Sequence, residues 1–206
     1  MSARARIGVL ALQGAYAAHA ATLKGLDADV CEVRTPQDLD DCDALVIPGG
    51  ESTTISKLLE TSALFDPIAK RIANGMPVFG TCAGMILLAC EVSDGRADQR
   101  SFGAIDIAVQ RNAYGRQVDS FETDLNVNGL DEQFHAVFIR APRITRCGDG
   151  VEVLAEHDGA PVLVRSDAVM TASFHPELAD DDRVHQMFLT LVDEARAGSG
   201  AAKMRS

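Results

Sequence analysis

Short apolar runs alternate with longer stretches of helical spacing through the first half of the chain. RIGVLAL (6–12), ADVCEVR (28–34), DALVIPGG (43–50) and PVFGT (77–81) read as strands. Between them, AYAAHAATLKGL (15–26) reads as a helix ending at a glycine. TTISKLLETSALFDPIAKRIANG (53–75) is a helical stretch with a break expected near Asp66-Pro67, and AGMILLACEV (83–92) reads as a buried helix. Apolar strands separated by helices pack as a mostly parallel sheet covered on both faces.

The second half changes period. FGAIDIAVQR (102–111), VDSFETDLNV (118–127), FHAVFIRAP (134–142), VEVLAEHDGAPVLVRS (151–166) and AVMTASFHPE (168–177) are strand-like, several with two-residue alternation. EHDGAP predicts a hairpin turned at Asp158-Gly159. A last helix is expected over 182–198, with 199–206 as a frayed tail. No repeat or linker interrupts the pattern, so the expectation is one α/β domain over 1–198.

Composition narrows the partners. The 206 residues are 47% hydrophobic and 24% charged, an ordinary globular balance, with a net charge of −11. Such acidity argues against an electrostatic grip on nucleic acid or anionic membrane, which needs clustered cations. The cysteines at 31, 42, 82, 90 and 147 are odd in number and form no CxxC pair, which suggests neither a disulfide framework nor a zinc site. The amino-terminal apolar run IGVLAL is short for a signal peptide and reads better as a first strand. A reducing cytoplasm fits this pattern.

One cysteine stands apart. Gly80-Thr81-Cys82-Ala83-Gly84 joins a strand to a helix with the spacing of a nucleophile elbow, sulfur replacing oxygen. In such a turn the nucleophile has a strained backbone, its neighbours must be small, and the following helix points its positive end at the sulfur. The amide of Ala83 is placed to donate to an oxyanion. The matching base is His175 in ASFHPEL (172–178), and proline biases the residue before it toward extended backbone. Glu177, two residues on, then faces the same side and can orient the imidazole, the logic of a nucleophile, base and orienter. His19, His135, His157 and His185 lack such a partner and read as structural or surface residues.

A third loop, VIPGGESTTI (46–55), follows a strand and opens a helix. Gly49 and Gly50 permit a tight turn with exposed amides, and Ser52 or Thr53 can cap the helix. The Walker lysine is absent, and Glu51 would repel phosphate. A glycine amide here can be the second oxyanion donor, and Glu51 can receive a cationic amino group. Arg111 and Arg140, near strand ends, suit a substrate carboxylate.

Together, LALQG, PGGESTT, GTCAGMILLA, RNAYGRQVDSFE, FIRAP and FHPEL resemble the class I, triad-type glutamine amidotransferases. Within that class the motifs look like those of the glutaminase subunits of two-protein pyridoxal 5′-phosphate synthases. The resemblance implies a flavodoxin-like fold and hydrolysis of L-glutamine to glutamate and ammonia. It implies Cys82 as nucleophile, His175 as base and then acid, and Glu177 as orienter. Gly50, Glu51, Ser52, Arg111, Ile139 and Arg140 would hold glutamine, with Gly50 and Ala83 at the oxyanion. Ammonia would pass to a barrel-shaped synthase subunit, docked in a region that includes Gln13, and lyase activity would belong to the assembled complex. No metal or bound cofactor is implied; pyridoxal phosphate would be the complex's product. Ala18 stands where that family carries an acidic residue, which puts a salt bridge there in question, and residues 90–103 follow the family only loosely, as a surface loop. Two other readings remain open at this level: another hydrolase with the same elbow, such as a γ-glutamyl hydrolase, and a redox-sensing binding module built on an oxidisable Cys82.

Overall fold

The computed structural model describes residues 4–95, 99–111 and 120–203. In the first half, strands β1 (Arg6–Leu10), β2 (Asp29–Val33), β3 (Ala44–Ile47) and β4 (Val78–Thr81) pair in parallel, as the alternation predicts. Helix α1 (Tyr16–Gly25) follows β1. A short α2 (Pro36–Asp40) lies where no helix is read from apolar spacing, and its signal is local. The Thr35 hydroxyl accepts from the Asp38 amide while the Asp38 carboxylate accepts from the Thr35 amide at 2.8 Å, with Pro36 at the first helical position.

The stretch 53–75 is divided into α3 (Ser52–Thr61) and α4 (Phe65–Ala73), but not at the proline. The break is at Ser62–Leu64, where Ala63 takes φ +56°. Pro67 lies inside the first turn of α4, where its missing amide is no loss. The expected helix over 83–92 is half right. Helix α5 (Ala83–Leu88) gives way at Ala89 to strand β5 (Ala89–Ser93), because an apolar run fits a buried helix and a buried strand equally well.

The second half supplies β6 (Ile105–Gln110), β7 (Ser120–Leu125), β8 (Phe134–Ile139), β9 (Arg143–Cys147), β10 (Glu152–His157), β11 (Ala160–Ser166) and β12 (Val169–Ala172). β9, with two arginines in five residues, is not legible as a strand in the sequence. The β10–β11 hairpin turns at Asp158-Gly159 with φ +48° and +67°, both positive as a two-residue turn requires. The main sheet has seven strands in the order β10-β11-β12-β4-β3-β1-β2, parallel from β12 to β2 and edged by the antiparallel hairpin. β5-β6-β9 and β7-β8 form smaller sheets beside it. The last helix, α6 (Arg183–Lys203), runs past the expected end at 198. Gly198 does not take the left-handed backbone with which a glycine ends a helix.

The faces of the main sheet follow the strand period of two. Leu45 and Ile47 pack with Leu39, Ile55, Leu59, Ile68 and Leu87 on the side of α2 to α5. Ala44 and Val46 pack with Leu23, Phe134, Phe138 and Phe188 on the side of α1, β8 and α6. Among the described residues no helix is long and apolar enough to cross a membrane. The chain leaves β1 for one side and β3 for the other, which opens a crevice at the carboxyl ends of the parallel strands. The loops after β1, β3, β4 and β12 all reach that edge.

Candidate active site

Cys82 sits between β4 and α5 with φ +48° and ψ −101°, backbone territory that L-residues rarely occupy. Its amide is tied to the Ala172 carbonyl of β12 at 2.8 Å. The glycines on either side have steric reasons. A methyl group at Gly80 would lie 2.7 Å from the backbone of Gly84, and one at Gly84 would collide with the Ile47 carbonyl oxygen. The elbow therefore fits only because the helix packs directly on β3 and on its own strand.

His175 follows β12, its amide donating to the Val137 carbonyl of β8 at 2.8 Å. Pro176 opens a single 3₁₀ turn (Pro176–Leu178), so Glu177 is not reached by the extended spacing that the sequence suggests. The tighter turn still brings the pair together, with His175 Nδ1 2.7 Å from Glu177 Oε1. Both residues are buried, each 7% exposed. Burial pushes the His175 imidazole down, but the Cys82 sulfur and the Glu177 carboxylate outweigh it and raise it to about 10. Burial likewise pushes Glu177 up, and His175 and His19 hold it below the usual carboxylate range. This environment favours an imidazolium held against the Glu177 carboxylate.

Cys82 and His175 line a cavity of roughly 270 Å³ with Gln13, Gly50, Glu51, Ser52, Ile86, Arg111, Ile139 and Arg140. Every substrate-binding residue expected from the sequence is in that lining. The Cys82 sulfur lies 3.9 Å from the Ile139 carbonyl, and Arg140 is exposed at the rim with φ +43°. Gly49 presses against His175 and Cys82 so closely that a methyl group there would strike the His175 ring. Gly14, with φ +89°, leaves room for the Gly49 carbonyl. Gln13, expected in a docking region, also reaches into the site: its Oε1 accepts the Glu51 amide at 3.1 Å.

The loop after β3 differs from expectation in its cap. Neither Ser52 nor Thr53 caps α3; Glu51 does, accepting from the Thr53 and Thr54 amides at 3.2 and 2.7 Å. Arg111 donates to the same carboxylate at 3.0 Å and to the Thr53 hydroxyl at 3.1 Å. Burial alone would raise the Glu51 acid, but the donors on Thr54 and Thr53 bring it down to about 2. The two charges expected to bind opposite ends of a substrate are thus joined in the free chain. The rest of the RNAYGRQVDSFE motif up to Asp119 lies outside the described residues.

The residues that sequence reasoning missed are His19 and His185. Both are fully buried, and His19 Nε2 is 3.2 Å from Glu177 Oε2. They are 166 positions apart in the chain, which no local motif can reveal.

Comparison with known proteins places the chain in a family. The SNO glutamine amidotransferase family matches residues 9–194. A Mycobacteroides abscessus protein named pyridoxal 5′-phosphate synthase subunit PdxT is 55% identical over 192 residues, covering 93% of this chain and 98% of that one. A protein of the same name from a Nocardioides species is 53% identical, covering 95% and 100%. A crystal structure titled glutamine amidotransferase superposes with a TM-score of 0.86 at 50% identity, over 91% of this chain and 98% of that one. A putative GMP synthase component from Thermoplasma acidophilum shares the fold, with a TM-score of 0.70 at 19% identity over 97% and 100%. The chain belongs to the SNO glutamine amidotransferase family.

Proposed function

We propose that this chain is the glutaminase subunit of a pyridoxal 5′-phosphate synthase, releasing ammonia from L-glutamine for a synthase partner. The observation that carries the reading is the His175–Glu177 pair at 2.7 Å beside a strained Cys82, in a cavity small enough for one amino acid. Relatives at more than half identity that carry the PdxT name supply the biosynthetic context.

The Cys82 thiolate attacks the side-chain carboxamide carbon, and the amides of Gly50 and Ala83 stabilise the oxyanion. His175 gives its proton to the departing nitrogen, which leaves as ammonia, and a γ-glutamyl thioester remains on Cys82. Water, deprotonated by His175, attacks the thioester; glutamate leaves and the thiolate is restored. Glu51 and Arg111, 3.0 Å apart, meet the amino and carboxylate groups of one zwitterion together. Ser52, Ile139 and Arg140 complete the pocket. The Gly49-Gly50 hinge lets a docked partner, in contact near Gln13, reposition an oxyanion amide, worth about 10²–10³ in rate.

Acid-quenched protein, mixed with glutamine and digested, tests the covalent step by mass spectrometry. A γ-glutamyl adduct on the peptide that carries Cys82 is the expected result. An adduct confined to any other residue would overturn the assignment.

A further inference from the structure

Behind the triad lies a buried chain of groups that the mechanism above does not use. His19, on α1, places Nε2 3.2 Å from Glu177 Oε2 and 3.1 Å from the hydroxyl of Thr81, the residue just before Cys82. Its other nitrogen, Nδ1, is 2.9 Å from Nε2 of His185 on α6. His19, Thr81 and His185 have no solvent exposure. Among the described residues Glu177 Oε2 has no aligned hydrogen bond and His185 Nδ1 has no partner at all.

These contacts decide where the protons sit. If His19 carried its proton on Nδ1, a bare nitrogen lone pair would face the Glu177 carboxylate. His185 would then be left with a buried N–H that donates to nothing, which is costly. With the proton on Nε2, His19 turns an N–H dipole toward Thr81 and the carboxylate, and its Nδ1 accepts from His185 Nε2–H. Besides Glu177 Oε2, whose 3.2 Å contact with His19 is not an aligned hydrogen bond, the unpartnered atom is then a lone pair on His185, the cheaper orphan. Burial drives both rings down, His19 to about 4 and His185 to about 3, so both remain neutral at physiological pH.

We propose that His19, fixed as its Nε2–H tautomer by His185, is a positioning residue that holds the second oxygen of Glu177 and so aims the first at His175. This rests on the glutaminase reading. It explains why a carboxylate buried behind the catalytic histidine stays an anion through turnover, while His175 gains and loses its proton. It also joins α1 and α6 to the triad through a single side chain.

Nitrogen-15 NMR of histidine-labelled protein reads the tautomers directly, with the His19 signal identified as the one lost in His19→Gln. Protonated Nε2 and bare Nδ1 on His19 is the expected result, and the opposite tautomer or an imidazolium at neutral pH would overturn the proposal. Glutaminase assays with the synthase partner present supply the functional arm. His19→Leu should lower kcat on the order of 10- to 100-fold with KM within about twofold, and His19→Gln, which keeps an N–H in place, should recover most of it. A folded His19→Leu protein with unchanged kcat contradicts the positioning role. Wild-type protein without glutaminase activity would sink the functional reading instead, leaving the tautomers to be judged by NMR.

Discussion

Cys82 has the backbone of a glycine and the side chain of a nucleophile. Holding a non-glycine residue at φ +48° costs about 1–3 kcal/mol, and the elbow keeps it there through the Ala172 hydrogen bond and the packing of α5. Gly84 is the most constrained neighbour, since any Cβ there meets the Ile47 carbonyl. Gly84→Ala should therefore destabilise the chain by about 3 kcal/mol, read from urea unfolding. At the same scale, the Cys82 sulfur and then Glu177 raise His175 against the effect of burial. An imidazole raised to about 10 remains protonated through neutral pH, and its ion-pair stabilisation is complete below about 6.5 and lost as pH climbs through about 10. On the proposed mechanism, the proton that His175 gives to the departing nitrogen is lost in the same window, so kcat/KM should fall on its alkaline limb near pH 10. Glu177→Gln should shift that limb to lower pH and reduce kcat on the order of 10³–10⁴-fold, as measured in pH–rate profiles.

Elements place these residues, and here the sequence was uneven. Strand and helix alternation located β1 to β4 because continuous apolar runs between helices have few alternatives. The elbow was legible because glycine at 80 and 84 has a direct steric cause. The α5–β5 junction was not, since AGMILLACEV stays apolar across the change of period. β9 was hidden by its charges, and the relation of His175 to Glu177 was right while its route, a 3₁₀ turn, was not. His19 and His185 could not be found from sequence because their meeting depends on α1 and α6 packing on one face of the sheet. The helix α2 was readable after all, in the T-x-x-D pattern at Thr35 and Asp38. Thr35→Ala should cost about 1 kcal/mol in unfolding free energy and leave glutamine hydrolysis unchanged, because α2 lies away from the cavity.

At the scale of the whole molecule, four loops from one edge of a parallel sheet, with Arg111 after β6 and Ile139-Arg140 at the end of β8, build a site whose parts are already in contact. The cavity is small, Glu51 and Arg111 are paired with each other, and the loop after β3 turns on two adjacent glycines. On the proposed reading such a site is complete in its nucleophile and base and adjustable in its oxyanion donors. That is the arrangement expected of a glutaminase governed by a partner. The most direct test is ammonia release from glutamine by the purified chain, alone and with the synthase partner, beside Cys82→Ala. Release that rises at least about tenfold with the partner, and falls at least about 10⁴-fold in the variant, is the predicted result. Equal release with and without the partner, or release that survives Cys82→Ala, would contradict the account.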